Sequence, residues 1–140
     1  MSAWYDNQTL EPVAFLKAPD RPADWFEKHD FRLSTERVKE LADCAKDKLI
    51  FLCGIPANDK EFRDYYDKVI CLVIDKETMT QRVTERTTNN FGKSPDELAQ
   101  MLYWHGKMLE RYEEWGAAMI DANQPLDTVV KEILEQTENL

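Results

Sequence analysis

A chain of 140 residues, 43% hydrophobic and 32% charged, is long enough for one compact domain with a real core, and its composition is that of a folded protein rather than a disordered one. A formal net charge of −9 argues against a polynucleotide partner, because displacing counterions from phosphates takes a basic face. No apolar run approaches the ~20 residues that span a bilayer, and the start MSAWYDNQTLEP lacks the basic-then-apolar order of a secretory signal, so a cytoplasmic protein is expected.

From 1 to 33 no periodicity is visible. Pro12, Pro19 and Pro22 break any helix, while Trp4, Tyr5, Phe15, Trp25 and Phe26 are scattered apolar anchors, so an irregular segment is expected there. Ser34 then caps a helix whose apolar positions Val38, Leu41, Ala42 and Ala45 follow helical spacing. The run LIFLC at 49–53, ended by Gly54-Ile55-Pro56, suits a strand buried on both faces. Asn58 followed by Glu61 resembles a capping box before a short helix carrying Phe62, Tyr65 and Tyr66.

A second apolar strand covers 69–74, and Asp75 caps a helix with Met79 and Val83 on its inner side. Arg82 and Arg86 lie one turn apart beside those apolar residues, where a guanidinium needs a carboxylate, a carbonyl or an anion. The polar stretch 87–94 reads as a mobile loop. Ser94-Pro95-Asp96-Glu97 starts the longest helix, with Leu98, Met101, Leu102, His105, Met108, Leu109, Tyr112 and Trp115 on one stripe and Gly116 at its end. A third strand follows at 118–122, and Pro125 opens a final helix carrying Leu126, Val129, Val130, Ile133 and Leu134. Alternating strands and helices predict an α/β fold with a parallel sheet of about three strands in a three-layer arrangement.

The order of these features from 34 to 134 resembles P-loop NTPases, specifically the adenylate-kinase- and shikimate-kinase-like branch of nucleoside and small-metabolite kinases. A strand ending in Gly-Ile-Pro, a strand ending in an Asp cap, an arginine-bearing helix running into a lid, and a closing strand–loop–helix carry the likeness. It implies a single P-loop kinase-like domain over 1–140, N-terminally truncated, with a lid loop at 87–94. It further implies transfer of a phosphoryl group from ATP, with Mg2+, to a small hydroxylated acceptor. Arg82 and Arg86 would then be the catalytic lid arginines that stabilise phosphoryl charge, against the alternative of ion pairs with neighbouring carboxylates. Asn123, Gln124 and Pro125 would pass the adenine ring, against the alternative of an N-cap and a first-turn proline. Asp6 would meet the acceptor hydroxyl.

The departures from that family are equally specific. A Walker A loop requires G-x-x-x-x-G-K-[ST] after a strand; Gly92-Lys93-Ser94 has Thr87 five residues before the glycine and follows a helix. Cys53 stands where an acid usually helps order magnesium, and Ala57 and Asn58 stand where an acceptor-binding arginine often follows the proline. The chain is therefore expected to be inactive by itself. The alternative is a non-catalytic interaction protein on a degenerate P-loop fold, self-associating through apolar surface. Cys44, Cys53 and Cys71 form no C-x-x-C pair, and His29 and His105 have no ligand spacing, so neither a disulfide framework nor a metal site is expected. Cys53 and Cys71 read as small core hydrophobes.

Overall fold

The computed structural model describes residues 2–45, 48–138 and 140. It is a mixed α/β structure with a small antiparallel sheet and a two-stranded parallel sheet. The chain divides into two compact units, Met1–Asp67 and Lys68–Leu140.

In the first unit the stretch expected to be irregular builds a sheet. β1 (Ser2–Asp6) lies between β2 (Pro12–Val13) and β3 (His29–Leu33), antiparallel to both, with Trp4 opposite Val13 and Phe31. Trp4 is the hub of an aromatic core. Its ring lies 4.8 Å from Trp25, 5.5 Å from Phe15, 5.8 Å from Phe26 and 5.7 Å from Phe31. Arg21, itself buried, places its guanidinium 5.1 Å from the Phe15 ring and 4.7 Å from that of Phe26, closing the cluster by cation–π attraction. The apolar anchors thus sit in a fold whose strands are too short to show a period. α1 (Trp25–Lys28) leads directly into β3.

α2 (Thr35–Cys44) begins as expected: the Arg37 N–H donates to Ser34 Oγ at 3.3 Å. A 3-10 helix, Asp59–Tyr65, packs against α2 and buries Phe62 completely. Asn58 does not cap that helix through its side chain. It acts instead as a partner for the end of β3, its Oδ1 accepting from the Leu33 N–H and its Nδ2 donating to the Leu33 carbonyl, each at 3.1 Å. With the Ala57 N–H on the Phe31 carbonyl at 2.8 Å, residues 57 and 58 occupy the outer side of β3.

The strand expected over 49–53 is not formed. Leu49 and Phe51 are 49% and 51% exposed, and Cys53 is exposed rather than in a core. An apolar run becomes a strand only where a neighbour accepts its backbone hydrogen bonds. Within its own unit the sheet is closed on the β3 side by residues 57 and 58. The parallel pairing expected of three strands is therefore confined, among the described residues, to two.

Those two lie in the second unit. β4 (Ile70–Val73) runs parallel to β5 (Ala118–Asp121), Ile70 opposite Ala118 and Val73 opposite Asp121. Between them come α3 (Lys76–Glu85) and α4 (Pro95–Glu114), and α5 (Leu126–Glu135) follows β5. α4 packs on β4 and α5 on β5, burying Cys71, Val83, Ile120, Ala122 and Val129. Gly116 terminates α4 at φ 68°, where a side chain would be strained. No helix among the described residues is long and apolar enough to cross a membrane.

Candidate functional site

β4 and β5 are parallel, so their C-terminal ends emerge on the same edge of the sheet. That edge is where open α/β sheets place ligands. Three chain segments converge there. After β4, Asp75 caps α3: its Oδ1 accepts from the Thr78 N–H at 2.8 Å and its Oδ2 from the Thr78 hydroxyl at 2.9 Å. These bonds, the backbone one foremost, hold its carboxyl below the usual carboxylate range. After β5, the turn at 122–125 brings Asn123 Oδ1 to the Asp75 N–H at 3.2 Å. From the last turn of α3, Arg82 Nη1 donates to the Ala122 carbonyl at 2.8 Å.

Residues 75, 82 and 122–124 are thus one hydrogen-bonded cluster assembled from the ends of two strands and one helix. Asn123 is fixed further by its own N–H and its Nδ2, both donating to Asp121 Oδ1 at 2.9 Å. Gln124 Nε2 donates to the Asp121 carbonyl at 3.2 Å and to Glu132 Oε1 at 3.1 Å. Pro125 occupies the N-cap position of α5, and its carbonyl accepts from Thr128 and Val129. Asn123 does not cap α5 with its side chain; the amide instead ties the β4 end to the β5 end.

Arg86 serves a different place. α3 ends there, and the side chain folds over the residues that follow. Its Nε donates to the Asn89 carbonyl at 3.2 Å and its Nη2 to the Phe91 carbonyl. Neither Arg82 nor Arg86 makes an ion pair among the described residues; the acceptors of both are neutral carbonyls. Arg82 is exposed, and its one hydrogen bond among the described residues is that from Nη1.

The loop at 87–94 is exposed from 87 to 90 and fastened beyond. Glu97 is buried, and its Oε2 accepts from the Gly92 N–H at 2.8 Å. The Phe91 and Trp104 rings stack at 6.5 Å with 12° between planes. Gly92, buried at φ 89°, lies against Met101 and Val83. Ser94 precedes α4 as expected, but its Oγ is buried without a hydrogen-bond partner. Glu97, expected only as an acid of the first helical turn, takes over the fastening through the Gly92 N–H.

His105, on the apolar stripe of α4, presents Nε2 to the Ile74 carbonyl at 2.6 Å and so secures the end of β4. Its position signalled burial, but nothing in the sequence pointed to Ile74, because the acceptor is backbone. Asp6 lies in the first unit, at the end of β1. Its Oδ1 accepts from the Gln8 and Thr9 N–H groups at 2.8 Å each, and these bonds hold its carboxyl below the usual range. Among the described residues no three His, Cys, Asp or Glu side chains gather to hold a metal ion.

No protein-family model, curated protein or solved structure matches the chain.

Proposed function

We propose that this chain is the rear half of an ATP-dependent kinase of the adenylate-kinase- and shikimate-kinase-like type, serving phosphoryl transfer to a small hydroxylated acceptor. The observation that carries the reading is the state of Arg82 and Arg86. In a chain with 27 acidic residues, both guanidinium groups end on neutral carbonyls with no carboxylate partner among the described residues. Each retains its full charge and can exchange a carbonyl for a phosphate oxygen, a hydrogen bond about twice as strong. Arg82 stands where parallel strands end, beside the 122–125 turn, whose backbone would border a base.

ATP would supply the transferred phosphoryl group. Arg82 would hold negative charge at the strand ends, and Arg86 would hold it at the mouth of the loop. No three ligating side chains gather among the described residues, so Mg2+ would be carried mainly by the ATP phosphates, and no step is drawn through the ion. A Gly-rich cradle is likewise not in this sequence, so the backbone N–H groups that hold β- and γ-phosphates would have to come from outside it.

Two arginine–phosphate contacts at about 1.5–3 kcal/mol each give roughly −4 kcal/mol, a Kd on the order of 1 mM. Calorimetric titration with Mg–ATP and with pyrophosphate is the test. Millimolar binding that disappears in Arg82→Ala is expected; binding indifferent to both arginines, or none at 10 mM ligand, rules the reading out.

One observation favours a second reading, a non-catalytic interaction module. Leu126, Val130 and Leu134, one turn apart on α5, are 75%, 44% and 49% exposed, and Leu72 and Met119 of the sheet are exposed as well. Light scattering that finds a monomer at all concentrations argues against self-association through this surface.

A further inference from the structure

We propose that Arg86 is a latch: with no anion present its guanidinium holds the loop after α3 by the carbonyls of Asn89 and Phe91, and it releases that loop when a phosphate oxyanion takes the guanidinium instead. This rests on the anion-binding reading above and adds to it a regulated loop.

The geometry distinguishes the two ends of the loop. At its N-terminal end, Arg86 closes α3 with extended backbone, φ −62° and ψ 142°, so the chain departs from the helix axis and its own side chain can reach back over it. The fork of the guanidinium spans two carbonyls, those of Asn89 and Phe91. Local bonds organise the crest under it: the Phe91 N–H donates to Asn89 Oδ1 at 2.9 Å and the Lys93 N–H to the Asn90 carbonyl at 3.3 Å. At its C-terminal end the loop has an independent fastening, the Gly92 N–H on buried Glu97 and the Phe91 ring on Trp104. Removing Arg86 from the carbonyls therefore frees the crest and leaves the Gly92 anchor in place.

Energetics sets the direction. Both bonds of the latch end on uncharged oxygens, whereas a phosphate offers charged oxygens in the geometry a guanidinium fork matches. The exchange runs towards the anion, and the carbonyls of exposed Asn89 and half-buried Phe91 turn to water instead.

Amide hydrogen exchange read by NMR tests this on the whole chain, with inorganic pyrophosphate as the probe. In Arg86→Ala the Phe91 and Lys93 amides should exchange about tenfold faster, the loss of one net hydrogen bond, while Gly92 and Cys71 keep their wild-type rates. Pyrophosphate should produce the same pattern in the wild type and no change in Arg86→Ala. Arg86→Gln, which retains a donor but neither charge nor fork, should behave as Arg86→Ala and stands in for it should the alanine variant not fold. Unchanged exchange at Phe91 and Lys93 in both variants overturns the latch. Calorimetry on the same samples separates the two ideas. Pyrophosphate that binds through Arg82 yet leaves wild-type loop exchange unchanged overturns the latch alone, whereas absence of binding overturns latch and kinase reading together.

Discussion

Gly92 is the point at which the loop meets the core, and adding one methyl group there tests the whole arrangement. At φ 89° an L side chain is strained, by about 1–2 kcal/mol for left-handed backbone. The added Cβ would stand 2.4 Å from Met101 Sδ and 2.8 Å from Val83 Cγ1, well inside contact distance. Overpacking of this kind costs about 1–3 kcal/mol, and Met101, being flexible, keeps it towards the lower end. Gly92→Ala is therefore expected to lose about 2–4 kcal/mol, a drop in Tm on the order of 10 °C. Gly106 supplies the control. It lies inside α4 with nothing within 4 Å of a built Cβ, so Gly106→Ala should gain about 0.5–1 kcal/mol by restricting the unfolded chain. Urea denaturation of the two variants beside the wild type measures both. If they fall within about 0.5 kcal/mol of each other, Gly92 is not packed against α4 and the account of the loop is wrong.

Leu10 sits in the left-handed region at φ 57° with its side chain exposed, so Leu10→Gly should stabilise the β1–β2 turn by ~0.5–1 kcal/mol in the same denaturation assay; a loss would mean that its side chain is held. The Asp75 carboxyl is held below its ordinary range by Thr78, so its contribution is full above about pH 4 and is lost as pH falls below that value. Asp75→Ala should flatten the acid limb of Tm against pH below about pH 4, while Asp75→Asn, which keeps an oxygen acceptor at the cap, should stay closer to wild type at neutral pH; equal acid limbs in wild type and Asp75→Ala would discount the cap. Burial pushes the Cys71 thiol up, whereas Cys44 and Cys53 are exposed. A maleimide or DTNB titration of the native protein should count two thiols rapidly and a third only on unfolding; three rapid thiols would contradict the packing of β4.

What was legible in the sequence is what neighbours in sequence decide. Ser34 and Asp75 cap their helices through N–H groups three residues on, so their oxygens announce the helix starts. β4 and β5 were legible because each is a short apolar run bounded by polar residues. The first unit was not, because β2 is only two residues long and its core is made by rings at 4, 15, 25, 26 and 31 whose spacing follows no period. The run at 49–53 misled for the converse reason. Its composition is that of a buried strand, but composition cannot supply the partner strand, and Asn58, with a side chain that imitates a backbone edge, already occupies the outer side of β3. At the candidate site the two arginines were legible as groups requiring an acceptor. Their acceptors were not, since the Ala122 and Phe91 carbonyls carry no side-chain signal.

That choice of acceptor bears on function. Arg82 lies in the last turn of α3 and Arg86 directly after it, where the helix dipole offers about half a negative charge, worth about 0.3–1 kcal/mol to an exposed cation. Dipole and carbonyls together make the position tolerable for two guanidinium groups four residues apart without neutralising either. A carboxylate in the same place would have closed the site to anions, because a ligand would first have to break an ion pair. In a protein of net charge −9, Arg82 stands without a direct ion pair among the described residues even though Asp75 and Asp121 belong to the same hydrogen-bonded cluster. Under the proposed reading, the two guanidinium groups would hold a small polyphosphate by local contacts and not through a broad basic face.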